Sequence, residues 1–201
     1  MIQKVDQIDL GKYDSLTVKS FLAVLYWCGL RKTEVTGAKR HRYVCPSCTR
    51  HADPIIKYTE AIPGILKEDI EVKGDMMLIE AVARKHGKRE AALELWLGFP
   101  FVDLILEQWK RTQPKQRVWP ISEWDGWSLM KQIDKKKYLH WLRFVRITEL
   151  CANPKLSVAD ICSWTGLTPQ TINAYMERSG RFIKRTAQAM REQYEAALPF
   201  K

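Results

Sequence analysis

Apolar residues recur at helical spacing along most of this chain, and this pattern limits it to a mainly helical fold. The spacing predicts helices over 15–28, 99–112, 121–136, 136–153 and 180–198, and two short helices within 156–179 that are joined at Gly166. Asp14 or Ser15 can cap the first helix, Gly29 can end it, and Ser122 can cap a later one.

One short region favours strands instead. The segments "MMLIEAVAR" and "REAALELWL" flank "KHGK" (85–88) and predict a hairpin with Gly87 in its turn, although their alanine content would also suit a helix. We therefore expect an α+β fold that is mainly helical and carries a small antiparallel sheet. With 201 residues, the chain can bury one sizeable core, so we expect a single domain over 1–201.

The charge of the chain points to its class of partner. Its net charge is +10 and its pI is about 9.4, which favours a polyanion, with nucleic acid as the first candidate and an unusually basic proteome as the alternative. The longest apolar run, Phe21 to Leu30, is too short to span a bilayer, and Met1 is not followed by a signal peptide. The odd number of cysteines, five, argues against a disulfide scaffold and favours the cytoplasm.

Residues 36–64 read as a basic insertion that could hold a metal ion. Two cysteines in a CPxC turn and two nearby histidines suit tetrahedral zinc, and these are His41, Cys45, Cys48 and His51. Such a zinc would be structural; the alternative is two free thiols in a basic loop. Basic residues around this set suit phosphate contacts, and these are Lys39, Arg40, Arg42 and Arg50.

A second set of residues suits phosphoryl transfer without a metal. His140 and Arg143 are three apart on a predicted helix, so they share one face; alone, they would read as a solvated basic face. Arg31 follows a helix end, and Tyr175 lies in the last short helix. Arginines can bind phosphate oxygens, a histidine can assist proton transfer, and a tyrosine hydroxyl can attack phosphorus. A half-buried core position is the alternative for Tyr175.

The order and spacing of these residues resemble those of the tyrosine recombinases, or phage-type integrases. "GLRKTE" resembles the family's G-L-R-x-x-E, "RKHGKRE" its lysine hairpin and "HWLR" its H-x-x-R, and Tyr175 follows Arg143 by 32 positions. The resemblance covers Ser15 to Arg178. It implies catalytic roles for Arg31, Lys85 (with Lys88 as the rival), His140, Arg143 and Tyr175, and a supporting role for Glu34.

The same resemblance implies a reaction, a DNA substrate and an oligomeric state. The chain would cleave and rejoin double-stranded DNA at an attachment site through a 3′-phosphotyrosine, as part of a homotetramer, on host or mobile-element DNA. No nucleotide cofactor or catalytic metal would be needed. Residues 179–201 would form a C-terminal helix that docks on a neighbouring protomer or packs on its own domain.

Two departures from the family pattern stand out. The family usually has His or Trp nine residues before its nucleophile, where this chain has Gly166; Thr165, Trp164 or water could substitute. Only about fourteen residues precede the first predicted helix, so we expect either a catalytic-domain fragment or a minimal enzyme.

A different class of function also fits residues 156–178. Ile161, Gly166, Leu167 and Ile172 fall where a DNA-binding helix-turn-helix needs core residues and its turn glycine, and Thr168 can cap the second helix. A non-catalytic regulator would then read bases with Gln170, Thr171 and Asn173. This alternative leaves Arg31, His140 and Arg143 without a role.

Overall fold

Helices make up most of the regular structure in the computed structural model, which describes residues 1–41, 59–83, 87–88 and 93–178. The α-helices are α1 (Ser15–Trp27), α2 (Lys32–Thr36), α3 (Val102–Arg111), α4 (Glu123–Ile133), α5 (Leu139–Ala152), α6 (Val158–Thr165) and α7 (Pro169–Arg178). Two short 3-10 helices span Ile2–Gln7 and Lys67–Asp69. The helical predictions within the described residues are thereby confirmed, and the predicted helix 180–198 lies outside them.

The boundaries of α1 follow from its sequence. The Asp14 carboxylate accepts a hydrogen bond from the Thr17 backbone N–H at 2.9 Å and so caps the first turn. At the other end the helix gives way at Cys28, and Gly29 adopts a left-handed φ of 57° that redirects the chain. Both predicted boundary residues therefore act as expected, with Asp14 rather than Ser15 as the cap.

The main hydrophobic core surrounds α1. Val18, Phe21 and Leu25 are buried on this helix, which packs against α3 and α5. Trp119 is buried beside it, and its indole N–H donates to the Ser20 hydroxyl at 3.0 Å. A buried indole costs free energy unless its N–H is paired, so this bond fixes the ring in place.

A second, smaller core joins the last three helices. It consists of buried residues on α5, α6 and α7, which are Ile147, Cys151, Ile161, Ile172 and Met176. Ile161 and Ile172 are thus core residues, as predicted, and Thr168 caps α7 through its hydroxyl, which lies 3.4 Å from the Thr171 backbone nitrogen. This second core is what holds α7 against α5.

The strands form a small antiparallel sheet, as expected. In the described ranges the strands are β1 (Ala38–His41), β2 (Thr59–Ile62), β3 (Ile70–Lys73), β4 (Met76–Ile79), β5 (Val82–Ala83), β6 (Gly87–Lys88) and β7 (Leu93–Trp96). Strands β3, β4 and β7 form a three-stranded sheet, while β1–β2 and β5–β6 are separate antiparallel pairs. The buried residues Met77 and Ile79 of β4 face Leu95 and Leu93 of β7, so one face of the sheet joins the core.

Two local predictions are wrong in detail. Gly87 does not lie in the hairpin turn, because it pairs with Ala83 as the first residue of β6. Helix α3 begins at Val102 rather than Phe99, because Phe101 has a left-handed φ of 66° that no right-handed helix can include.

Three tryptophans are exposed at the surface. The large side chains of Trp96, Trp124 and Trp127 are all accessible to solvent.

Within the described ranges, no helix combines the length and apolar character that crossing a bilayer requires.

Candidate active site

The "GLRKTE" segment folds into a tight junction between α1 and α2. Arg31 immediately precedes α2, and Glu34 lies in the first turn of that helix. One carboxylate oxygen of Glu34 accepts the Arg31 backbone N–H at 2.8 Å, and the other lies 2.8 Å from Arg31 Nη1. Glu34 is buried, whereas the Arg31 side chain is 27% exposed. The buried carboxylate therefore holds the Arg31 guanidinium at the surface.

Arg143 is a buried cation that joins three segments of the chain. Its side chain is 2% exposed, and its Nη1 lies 4.0 Å from Glu34 Oε2. The guanidinium also donates to the backbone carbonyls of Gly29 and Thr165, the latter at 2.9 Å. Thr165 is the last residue of α6, where unsatisfied C=O groups carry partial negative charge, and Gly29 directly follows the C-terminal cap of α1. The alternative of a solvated basic face is wrong for Arg143.

His140 lies one helical turn before Arg143 on α5, at the rim of a surface cavity of about 180 Å³. The cavity is lined by Arg31, Lys32, Thr33, Trp127, Tyr138, Leu139 and His140. Partial desolvation of the imidazole lowers the pKa of His140, and the positive charges of Arg143, Arg31 and Lys32 lower it further. A neutral imidazole at the rim can accept a proton or donate a hydrogen bond.

Tyr175 approaches the same helix from α7. Its ring centroid lies 5.7 Å from that of Phe144, which directly follows Arg143 and is one turn beyond His140. The ring is half-buried at the edge of the second core, so a packing role also fits it. Among the described residues, the Tyr175 hydroxyl makes no hydrogen bond. The ring is thus anchored while the hydroxyl remains unconstrained by the described residues.

Gly166 ends α6 in a left-handed conformation with φ 64°, and its N–H bonds to the Cys162 carbonyl at 2.8 Å. The Thr165 hydroxyl donates to Ile161, and Trp164 lines a different cavity beside Trp27. Neither of the expected substitutes therefore lines the cavity that His140 does. The glycine is explained by backbone geometry, because a histidine there would be strained.

The arrangement of helices and sheet matches solved structures of DNA-bound enzymes. A XerH site-specific recombinase bound to a palindromic difH substrate, in a post-cleavage complex, aligns with a TM-score of 0.61 and 12% identity over 92% of this chain and 49% of that chain. A pre-cleavage complex of XerH with difH aligns with a TM-score of 0.58 and 12% identity over 87% and 46%. The chain has a tyrosine-recombinase-like fold.

The recombinase-like chain spans about half the length of these matched chains. No protein-family model and no curated protein matches its sequence. At 12% identity this similarity concerns the fold alone.

Part of the predicted site falls outside the described residues. Lys85, for which the resemblance implies a catalytic role, is one such residue, as are Arg42, Cys45, Cys48, Arg50 and His51. The backbone places Lys88 in β6, and Lys39, Arg40 and His41 in β1. In the described ranges, no group of three or more His, Cys, Asp or Glu residues could hold a metal ion. The zinc set, most of which lies elsewhere, remains an expectation.

The recombinase-like fold also brings in residues that sequence reasoning missed. Lys32, Trp127 and Tyr138 line the cavity beside Arg31 and His140. Lys32 and Tyr138 are close in sequence to recognised motif residues, which is a usable signal. No sequence signal pointed to Trp127, because its exposure depends on which face of α4 packs against the core.

Replacing Gly166 with alanine is expected to destabilise the fold through two effects. The left-handed backbone costs about 1–2 kcal/mol for a residue with a Cβ, and displacing the Thr165 carbonyl from Arg143 adds about 1 kcal/mol. Gly11 is a matched control, because its φ is 58° and a Cβ there would meet nothing within 4 Å. Urea denaturation of both variants checks this; equal losses would show that the Thr165–Arg143 bond contributes nothing.

Proposed function

We propose that this protein cleaves and rejoins DNA strands at a specific site through a covalent 3′-phosphotyrosine. The assembly of Arg31, Glu34, His140 and Arg143 at one junction of a recombinase-like fold carries this proposal. These residues come from distant parts of the sequence and meet where Arg31 and His140 line one cavity. The chain's basic net charge of +10 suits a DNA partner.

The proposed reaction begins when a scissile phosphate enters the cavity beside Arg31. The partly exposed guanidinium of Arg31 binds non-bridging oxygens and stabilises the charge that develops on them. The Tyr175 oxygen attacks phosphorus, and the bond from phosphorus to the 5′ oxygen breaks. His140 assists by accepting the tyrosine proton or by donating a hydrogen bond to the phosphate, while Lys85 protonates the leaving 5′ oxygen. A 5′-hydroxyl of a second strand then reverses these steps.

Arg143 supplies the second positive charge. Its Nη atoms donate to the Gly29 and Thr165 carbonyls, so in this conformation it stabilises the site through contacts with the backbone. We propose that it reaches the phosphate by exchanging one carbonyl contact for a phosphate oxygen. A charged acceptor forms the stronger hydrogen bond, which favours the exchange once DNA is bound.

The proposed partners follow from the reaction. Strand exchange between two duplexes requires four active sites, so we propose a homotetramer on double-stranded attachment DNA. The nucleophile, the proton carriers and the charge stabilisers are all side chains, so neither a catalytic metal nor a nucleotide cofactor takes part in the proposed mechanism. The DNA it acts on would be in the cytoplasm, on a host nucleoid or a mobile element.

The lowered pKa of His140 has a measurable consequence for stability. The unfolded chain has the ordinary histidine pKa of 6.5, so below that pH it binds more protons than the folded chain does. The free energy of unfolding should therefore fall as pH decreases through 6.5 towards the lowered value. Urea denaturation at several pH values should show a smaller decrease for His140→Gln than for the wild type. Identical slopes would contradict the lowered pKa.

A non-catalytic DNA-binding regulator is the second candidate. Gln170, Thr171 and Asn173 are all exposed on α7, as base-reading residues must be, and this observation favours it. The burial of Arg143 is also compatible with a purely structural role for that residue.

A trapping assay separates the two candidates. Protein is incubated with a pool of nicked duplexes of varied sequence in the presence of a metal chelator, then run on a denaturing gel. When the nick lies close to the cleavage site, the released fragment diffuses away and the covalent complex accumulates. A protease-sensitive shifted band is expected. DNA binding without any such band across the pool, with or without divalent metal, would instead favour the regulator.

A further inference from the structure

Two tryptophans form an exposed aromatic pair on α4. Trp124 is 71% exposed and Trp127 is 42% exposed. Their ring centroids lie 5.0 Å apart with an angle of 27° between the planes, so the rings are stacked on each other. Being three residues apart on a helix, they share one side of it. Adjacent large aromatic side chains that are this exposed usually mark an interaction surface.

Packing of α4 within the domain does not account for this pair. The helix buries Gly126, Leu129 and Met130, and a Cβ at Gly126 would lie 3.1 Å from a methyl carbon of Leu139. This close approach fixes which face of α4 turns towards the core. Helical geometry then leaves Trp124 on the opposite face and Trp127 on the flank. Neither ring is needed to fill the core.

The pair adjoins the positively charged cavity. Trp127 itself lines that cavity with Arg31 and Lys32. Lys32 Nζ lies 2.6 Å from Glu123 Oε1, and this ion pair ties the first turn of α4 to α2. Across the cavity, Tyr138 is 52% exposed and stacks in parallel with His140. Cations and exposed aromatic rings therefore line the same opening.

We propose that the Trp124–Trp127 pair binds an unpaired nucleobase of the DNA strand whose phosphate occupies the Arg31–His140 cavity. This proposal rests on the DNA-cleaving function proposed above and extends it to the bases beside the cleaved phosphate. Cations and aromatic faces at one opening suit single-stranded nucleic acid, since cations contact the backbone and rings stack on bases. An acidic peptide would satisfy the cations but would leave the aromatic faces without flat partners.

The proposed contact would be tolerant of sequence. Every base presents a π-face, so stacking distinguishes an unpaired base from a paired one rather than one base from another. It would stabilise DNA that is locally unstacked at the cleavage site, which lowers the cost of bending the strand into the cavity. The aromatic pair would therefore favour DNA that is locally unstacked at the cleavage site over fully stacked DNA.

The test compares the affinities of two DNA probes by fluorescence anisotropy. One probe is a fully paired duplex, and the other is the same duplex with one unpaired adenine. All measurements use a Tyr175→Phe background, so that strand cleavage cannot contribute. The parent should bind the unpaired probe about tenfold more tightly, the effect of roughly one stacked base. Trp124→Ala combined with Trp127→Ala should remove that preference, measured as the ratio of the two affinities of the same variant.

Two further variants control this result. Replacing both tryptophans with phenylalanine keeps aromatic faces and should retain most of the preference. Phe101→Ala removes an exposed aromatic side chain that lines a different cavity, and it should leave the preference unchanged. The proposal is overturned if the parent shows no preference, if the double alanine variant keeps it, or if Phe101→Ala loses it equally.

These outcomes are independent of the proposed strand cleavage. A wild-type protein that forms the covalent adduct but shows no preference for the unpaired probe contradicts only the stacking proposal. A protein that shows the preference, and loses it with the two tryptophans, but never forms an adduct contradicts only the cleavage reaction.

Discussion

Tyr175→Phe is expected to abolish the covalent protein–DNA complex. Removal of a nucleophile leaves only the groups that bind the phosphate, so the rate of adduct formation should fall on the order of a thousandfold or more. The measurement is the yield of shifted, protease-sensitive band on nicked duplex DNA over time. No neighbouring tyrosine lies within residues 156–178 to take over the attack.

The same substitution should leave folding and binding intact, which makes the result specific. Phenylalanine keeps the half-buried ring that packs against Phe144, and among the described residues the hydroxyl has no hydrogen bond to lose. The free energy of unfolding should change by about 0.5 kcal/mol or less, and DNA affinity should be unchanged. A variant that still forms the adduct at the normal rate would exclude Tyr175 as the nucleophile.

Arg143→Ala should have the largest effect on stability. Removing this guanidinium leaves the buried Glu34 carboxylate and the carbonyls of Gly29 and Thr165 short of a donor. Removing one partner of a buried ion pair usually costs about 3–5 kcal/mol, and the loss here should lie at the lower end of that range because Arg31 still contacts the Glu34 carboxylate. Urea or thermal denaturation should therefore show a large loss of stability.

Arg111→Ala is the matched control for this prediction. Like Arg143, Arg111 pairs with a carboxylate: its Nη2 lies 2.8 Å from Oδ1 of Asp14, which caps α1. Unlike Arg143, its side chain is exposed to solvent. An exposed ion pair contributes about 1 kcal/mol or less. If Arg143→Ala costs no more than Arg111→Ala, Arg143 does not hold the site together.

The local folding of the site was predictable because it depends on short-range chemistry. The start of α2 is an exception, because the sequence pattern predicts no helix there, although Arg31, two residues after Gly29, and Glu34, three further on, form it with short-range contacts. The helix carrying His140 and Arg143 follows from its apolar spacing. The two-helix unit around Gly166 follows from the same spacing and from the left-handed turn that glycine permits.

The surroundings of Arg143 could not be predicted from the sequence. Its position in H-x-x-R gives the face of the helix but not what packs on that face. The carbonyls that it binds belong to Gly29 and Thr165, which are distant in sequence, and they are brought there by the two cores. Similarly, the exposure of Trp124 depends on the close contact of Gly126 with α1 and α5, a tertiary feature.

Mass spectrometry of the trapped complex tests the central proposal most directly. After nuclease and trypsin digestion, the peptide 156–178 should carry the residual nucleotide, and this peptide contains one tyrosine, Tyr175. Fragmentation should place the added mass on that residue, linked through a 3′-phosphate. Nucleotide mass on a different peptide, or a 5′ linkage, would contradict the proposed nucleophile and the proposed polarity of cleavage.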